Sequence, residues 1–172
     1  MKYADIKTVD VANGPGIRVS LFVSGCRHKC KGCFNYDAWD FDFGKEYTSE
    51  TEDYILDCLD KKHIKGLTFL GGEPLEPENQ EAVCRLIRRI RQQLPEKNLW
   101  LYTGFTYEYL MEKMVDRLPY TKDILDNVDV LVDGKYQEDL KDVRLRFRGS
   151  ANQRLIDLVQ TRETKHVTLW DQ

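Results

Sequence analysis

The chain has 172 residues, with 26 Lys and Arg against 29 Asp and Glu, which gives a formal net charge of −3 at pH 7. This length predicts a single domain, residues 1–172, whose core is large enough to fold without disulfide bonds. The small acidic charge gives no general support for nucleic-acid binding. The apolar runs are too short for a transmembrane helix, which needs roughly 20 residues. Residues 1–10 have no apolar core typical of a secretory signal, so a cytoplasmic location is expected.

Short runs rich in β-branched and aromatic residues predict five strands, which alternate with helix-like segments. The expected strands are residues 19–23, 67–70, 99–102, 128–132 and 167–170. The main expected helices start at Ser49, near Glu78 and at about Thr106, and a shorter helix covers residues 152–158. Ser49 and Glu52 have the spacing of a capping box. Residues 144–148 alternate Arg with apolar side chains, which predicts an edge strand with one charged face.

Strands that alternate with helices predict an α/β fold with a mainly parallel sheet. About 5–6 strands are too few for a closed eight-stranded barrel, so an open or partial βα barrel is expected. Ligands of such folds bind at the carboxyl ends of the strands. Polar or flexible residues follow four of the predicted strands there: Gly25 and Cys26, Gly71 to Glu73, Thr103 and Gly104, and Asp133 and Gly134.

Three of the five cysteines, Cys26, Cys30 and Cys33, form a C-x3-C-x2-C pattern directly after the first expected strand. Thiolates this close together predict a shared metal centre, and iron–sulfur clusters are held by Cys. With only three ligands, a four-iron cluster keeps one iron open for a substrate or cofactor. A structural zinc site with His28 as fourth ligand is the alternative, although His28 lies inside the first loop of the pattern. Uncoordinated surface thiols would be prone to oxidation.

The other two cysteines, Cys58 and Cys84, lie on or beside the apolar faces of expected helices and are predicted to be core residues. The odd total and the lack of an export signal argue against a disulfide framework. The histidines (His28, His63 and His166) are scattered, and no Ser-His-Asp or Cys-His arrangement is evident. No side chain is therefore predicted to act as a catalytic acid, base or nucleophile.

The cysteine spacing resembles the radical S-adenosylmethionine (radical SAM) superfamily. Further segments are similar to its glycyl-radical-enzyme activases, and in particular to the branch that activates anaerobic ribonucleoside-triphosphate reductases. These segments are Asn13-Gly14-Pro15-Gly16-Ile17-Arg18, Leu21-Phe22-Val23-Ser24-Gly25-Cys26, Cys33-Phe34-Asn35 with Trp39, Tyr102-Thr103-Gly104-Phe105 and Arg148-Gly149-Ser150-Ala151-Asn152-Gln153-Arg154. The resemblance covers nearly the whole chain.

This resemblance implies a radical SAM partial barrel and a [4Fe-4S] cluster held by Cys26, Cys30 and Cys33, with SAM on the open iron. An electron from an external donor, such as reduced flavodoxin, cleaves SAM to methionine and a 5′-deoxyadenosyl radical. That radical removes a hydrogen atom from a glycine Cα of the glycyl radical subunit of the anaerobic ribonucleoside-triphosphate reductase. The cofactors carry the chemistry and the protein orients them.

The resemblance also assigns SAM contacts to residues at the rim. Gly71, Gly72 and Glu73 match the segment that binds the methionyl amino group, although the bare residues also fit an ordinary strand-to-helix turn. Thr103, Gly104 and Asp133 lie where ribose and carboxylate contacts arise, and Asp133 also fits a turn cap. The superfamily often has an aromatic residue before the third cysteine, where this chain has Gly32. Only backbone contacts from Gly32, Cys33 and Phe34 are therefore expected.

Other readings remain open at this point. The arginines of the second helix, Arg85, Arg88, Arg89 and Arg91, fit a solvated helix face. Residues 144–148 fit an edge strand or a docking surface for a partner protein. A small radical SAM enzyme that acts on a small molecule is the alternative enzyme, and a zinc-stabilised Cys3His binding module is the alternative from another class.

Overall fold

One mixed sheet of seven strands organises residues 1–171, which the computed structural model describes. Its strands are β1 (Lys2–Asp10), β2 (Ile17–Val23), β3 (Lys45–Glu46), β4 (Ile64–Gly71), β5 (Asn98–Tyr102), β6 (Val130–Asp133) and β7 (Arg154–Asp157). Their spatial order is β3-β1-β2-β4-β5-β6-β7. The α/β class is confirmed, with seven strands in place of the expected five or six.

The four central strands, β2, β4, β5 and β6, are parallel, and one row of paired residues crosses them: Leu21, Phe69, Leu101 and Leu131. The outer strands β1, β3 and β7 pair antiparallel. The sheet is open, because β3 and β7 form its two ends. Parallel strands bring their carboxyl ends to one edge, so the residues that follow β2, β4, β5 and β6 meet there.

The helices are α1 (Ser49–Leu59), α2 (Pro77–Gln93), α3 (Tyr107–Tyr109), α4 (Thr121–Asn127) and α5 (Leu158–Thr164), and a π-helical turn, Leu110–Met114, extends α3. Helix α1 starts where expected, but its capping box joins Thr48 and Thr51 rather than Ser49 and Glu52. Glu52 is buried and accepts a hydrogen bond from Tyr47 instead. None of the helices in the described part of the chain has the length and apolar character needed to cross a bilayer.

Alternate residues of the central strands face two different environments. One face forms the main core with side chains of α1, α2, α4, α5 and the π-helical turn, including Ile55, Leu86, Ile124, Leu158 and Leu110. The opposite face is more polar, with Arg18, Ser20, Thr68 and Trp100 all fully buried. The Arg18 guanidinium donates to Thr68 Oγ1 (2.8 Å) and to the Leu67 carbonyl (3.1 Å), and burial lowers its pKa to about 10.

Several sequence-based expectations near the ends of the chain are wrong. Residues 152–158 are not a helix, because Arg154–Asp157 pairs with β6 as strand β7 and helix α5 follows it. Residues 167–170 make only an isolated bridge, between Leu169 and Ile156. Residues 144–148 form turns rather than an edge strand. Strand β1 and helix α4 were not predicted.

Candidate metal centre

The expected rim of residues forms at the carboxyl edge of the four parallel strands. Backbone hydrogen bonds join the turns to one another. Gly72 N–H donates to the Val23 carbonyl (2.7 Å), Glu73 N–H to the Gly25 carbonyl (2.8 Å), and Thr103 N–H to the Val132 carbonyl (2.9 Å). Gly104 N–H also donates to the Glu73 carboxylate (2.7 Å), so the ends of β2, β4, β5 and β6 are linked into one connected unit.

The three clustered cysteines lie on one loop, residues 26–33, which we call the cysteine loop. It folds tightly, with positive φ at Lys29 (51°) and Gly32 (79°) and a hydrogen bond from Cys33 N–H to the Cys30 carbonyl (3.1 Å). All three thiols are free and half-buried. They line a single cavity of about 220 Å³, which Gly71, Gly72, Glu73, Thr103 and Gly104 also border. The structure thus brings the predicted metal ligands and most predicted SAM contacts to one place.

Three free thiols on one cavity are a donor set that fits an iron–sulfur cluster, while burial favours their protonated form until metal binds. Burial raises the pKa of Cys26 to about 11, and the nearby Glu73 carboxylate contributes to this rise. Burial also raises the pKa of Cys30, helped by Cys33. Backbone groups of His28 and Lys29 act in the opposite direction and lower the pKa of Cys26, and the backbone of Tyr136 lowers the pKa of Cys30. Hydrogen bonds to the sulfurs are among the features that tune iron–sulfur clusters.

A single zinc ion and a four-iron cluster make different demands on the three thiols. Among residues 1–171, no group of three or more His, Cys, Asp or Glu side chains is arranged to hold one metal ion. A zinc ion needs four ligands within about 2.3 Å of one point, whereas a four-iron cluster distributes its thiolates over different iron atoms. His28 is also engaged elsewhere, since its Nε2 lies 2.7 Å from Glu73 Oε1.

Glu73 is 1% exposed, and protein groups already surround its carboxylate. Its Oε1 accepts from Thr103 Oγ1 (2.8 Å) and Gly104 N–H (2.7 Å) in addition to His28. Its Oε2 accepts from Leu75 N–H (2.8 Å). The side chain therefore joins the cysteine loop to the turns after β4 and β5.

The two glycines before Glu73 are required by close backbone packing. A Cβ on Gly71, whose φ is +107°, would lie 2.7 Å from Val23 N, and one on Gly72 would lie 2.7 Å from the Gly25 oxygen. A Cβ on Gly32 would lie 2.9 Å from the Glu138 side chain.

Phe34, which follows the third cysteine, has a side chain that is 77% exposed, and Lys141 Nζ lies 5.3 Å from the centroid of its ring.

Asp133 is also 1% exposed, and protein donors hold both of its oxygens. Its Oδ1 accepts from Arg154 Nε (3.0 Å), and its Oδ2 from Arg154 Nη2 (2.5 Å) and Tyr107 N–H (2.8 Å). Arg154 also makes a bidentate ion pair with Glu108. Asp133, Arg154 and Glu108 border a second cavity of about 730 Å³, which shares His28, Gly104 and Gly134 with the cysteine cavity.

Comparison with known proteins gives a consistent match. A family model described as "4Fe-4S single cluster domain" matches residues 12–156. Anaerobic ribonucleoside-triphosphate reductase-activating proteins from Vibrio cholerae serotype O1, Enterobacteria phage T4 and Escherichia coli K12 are 44%, 43% and 41% identical to the chain over 155 residues. These matches cover 89–90% of this chain and 93–96% of the relatives.

The chain belongs to the family of anaerobic ribonucleoside-triphosphate reductase-activating proteins. The resemblance seen in the sequence is thereby confirmed. The matched 4Fe-4S model includes all three residues of the cysteine pattern, which supports an iron–sulfur cofactor in this activating-protein family member.

The sequence did not identify five residues that line the cysteine cavity: Asn35, Trp39, Tyr136, Gly149 and Gln153. Gln153 holds its loop closed, because its Oε1 accepts from Gly149 N–H (2.9 Å) and its Nε2 donates to the Gly134 carbonyl (3.1 Å). The segment from Arg148 to Arg154 carried part of the family resemblance, and that was the available signal. The position of this segment relative to the cysteines depends on the pairing of β6 with β7.

Proposed function

We propose that this protein is a radical SAM activase that generates a glycyl radical on an anaerobic ribonucleoside-triphosphate reductase. The observation that carries the proposal is the position of three free thiols on one cavity, at the carboxyl edge of parallel strands, beside a second and larger cavity. The names of the relatives supply the reductase as the partner. Family membership and the three thiols on one cavity both support an iron–sulfur activase.

In this proposal Cys26, Cys30 and Cys33 bind three irons of a [4Fe-4S] cluster, and the fourth iron is left for SAM. When bound, the cluster would supply an electron, received from an external donor, to cleave SAM to methionine and a 5′-deoxyadenosyl radical, and that radical would take a hydrogen atom from a glycine of the partner. The chain itself positions these groups and limits the access of water to the cysteine cavity.

The rim residues retain their proposed roles toward SAM. Gly71, Gly72 and Glu73 border the cysteine cavity, as the methionyl amino group requires. Four protein donors already surround the Glu73 carboxylate, and its carbonyl accepts from Asn79 and Glu76. We therefore assign this contact to the carbonyl oxygens of Gly71 and Gly72. Thr103 and Gly104 border the same cavity, and Gly104 and Asp133 border the larger one, where ribose and methionine carboxylate contacts are proposed. Because Arg154 and Tyr107 already hold both Asp133 carboxylate oxygens, Asp133 is proposed to contribute through its backbone. Gly32, Cys33 and Phe34 are proposed to offer backbone contacts to adenine.

The fold supports a single-domain partial barrel of the radical SAM type. Helices α1, α2, α4 and α5 all contribute to the core on one face of the open sheet, and the polar face with Arg18 and Thr68 would form the inside of the barrel. An open sheet edge leaves room for a protein loop that carries the target glycine. We further propose an external one-electron donor such as reduced flavodoxin. The free cysteines fit a reducing, cytoplasmic compartment.

The test is anaerobic reconstitution with iron and sulfide, followed by electron paramagnetic resonance in the presence of reductant, SAM and the candidate reductase. We expect a glycyl radical signal that is lost in Cys30→Ala and kept in Cys84→Ala, which removes a buried thiol on α2. Turnover of a small molecule without any partner protein would favour the alternative enzyme. Stoichiometric zinc in place of iron and sulfide, after anaerobic preparation, would favour the zinc module.

A further inference from the structure

His28 lies inside the cysteine loop, between Cys26 and Cys30, yet its side chain is only 8% exposed. Its Nε2 lies 2.7 Å from Glu73 Oε1, and its ring packs edge-on against Phe105 with centroids 4.6 Å apart. A Cβ on Gly104 would lie 2.5 Å from the ring, so the imidazole also fits closely against the turn after β5. His28 thus joins the cysteine loop to the turns after β4 and β5, alongside Arg27 of the same loop, which pairs with Glu76 and Glu78 after β4.

The Glu73 carboxylate fixes the chemistry of this contact. An ionised carboxylate only accepts hydrogen bonds, so the hydrogen on this bond is carried by His28 Nε2. The same oxygen also accepts from Thr103 Oγ1 and Gly104 N–H. A buried carboxylate that loses a donor incurs a desolvation cost. The bond therefore couples the conformation of the cysteine loop to the rim.

We propose that the His28–Glu73 hydrogen bond positions the cysteine loop to receive the cluster. The inference rests on the proposed function, because it concerns the same cysteines. His28 and Glu73 act through the loop as positioning residues, and neither is a ligand of iron in this scheme. Partners that orient metal ligands in this way typically change metal affinity by about 10- to 100-fold when they are lost.

The first experiment measures iron release from the reconstituted protein to a ferrous chelator under anaerobic conditions. We expect release from His28→Ala to be about tenfold faster or more than from the unsubstituted protein. His28→Gln can place an amide donor near the Nε2 position, and we expect it to restore most of the lost retention. The matched control is His63→Ala, because His63 is exposed in the turn before β4. It should release iron at the unsubstituted rate.

The second experiment uses the protein without cluster, so it does not depend on the proposed function. Lys29 and Lys31 are exposed trypsin sites within the cysteine loop. We expect His28→Ala to be cleaved there several-fold faster than the unsubstituted protein and His28→Gln, as followed by mass spectrometry. A general loss of stability would instead increase cleavage throughout the chain and would not be rescued by Gln.

The outcomes separate the two proposals. If the unsubstituted protein holds a cluster and His28→Ala matches it in both experiments, the positioning role is wrong while the activase proposal stands. If the unsubstituted protein takes up no iron and sulfide, the activase proposal fails. The cleavage experiment then still decides whether His28 holds the loop.

Discussion

Gly72→Ala should damage the protein through two backbone contacts. The added Cβ would lie 2.7 Å from the Gly25 oxygen and 2.9 Å from the Ala38 oxygen, closer than real Cβ atoms approach such atoms. Both oxygens are backbone atoms and cannot rotate away. They also accept hydrogen bonds that hold the site, from Glu73 N–H (2.8 Å) and Gly25 N–H (2.7 Å) respectively. Relief of the contacts must therefore displace Gly25, which directly precedes Cys26.

The magnitude follows from these contacts. Overpacking a closed site costs about 1–3 kcal/mol, and each weakened backbone hydrogen bond adds about 0.5–1.5 kcal/mol. We expect the free energy of unfolding to fall by about 2–6 kcal/mol in total, since two hydrogen bonds are weakened. With an m-value of about 2 kcal/mol/M, the urea midpoint of the cluster-free protein falls by about 1–3 M. Iron uptake on reconstitution should fall as well, because the cysteine loop starts at the displaced residue.

The control is Ser24→Ala, one residue before Gly25. The Ser24 hydroxyl is buried without a hydrogen-bond partner in the described part of the chain, so its loss should leave the midpoint unchanged or slightly raised. A Gly72→Ala protein with the unsubstituted midpoint and full iron content would refute the reasoning. It would show that the turn after β4 can move without disturbing the cysteine loop.

Two further predictions concern buried groups away from the cysteine loop. Burial, with Asp123 adjacent, raises the pKa of Cys84 to about 11. Its alkylation in the folded protein, followed by peptide mass spectrometry, should therefore stay slow up to about pH 10, because the thiol is both protonated and only 1% exposed; rapid alkylation near pH 9 would contradict this. Arg154→Met should leave buried Asp133 without its cation and lower the unfolding free energy by about 2 kcal/mol. Arg144→Met, which breaks an exposed ion pair, should change it by less than about 1 kcal/mol, and equal losses would count against the argument.

The central strands and the two long helices could be predicted because local pattern and tertiary environment agree there. Strands β2, β4, β5 and β6 are apolar on at least one buried face, and α2 has a clear apolar stripe ended by Pro95. Strand β1 has no such signal, since most of its residues are only half-buried or exposed. Strand β7 was mistaken for a helix because its pairing with β6 is a long-range contact that its four residues do not encode.

The candidate site divides in a similar way. The location of the rim followed from the order of strands and from the residues after them, and the three cysteines were evident from spacing. The partners of the buried carboxylates could not be predicted. His28 lies 45 residues from Glu73 in the sequence, and Arg154 lies 21 residues from Asp133. A hydrogen bond between such distant residues depends on the completed fold.

The Gly-Gly-Glu segment shows why its residues cannot be assigned to SAM alone. A side chain at Gly71 would collide with the backbone of Val23, and one at Gly72 would collide with the backbone of Gly25. The Glu73 carboxylate accepts a hydrogen bond from His28. All three contacts run to the end of β2 or to the cysteine loop that follows it. A chain that needed only a SAM contact at this position would not need all three. The segment therefore anchors the cysteine loop, and a substitution within it should impair cluster retention even where SAM is absent.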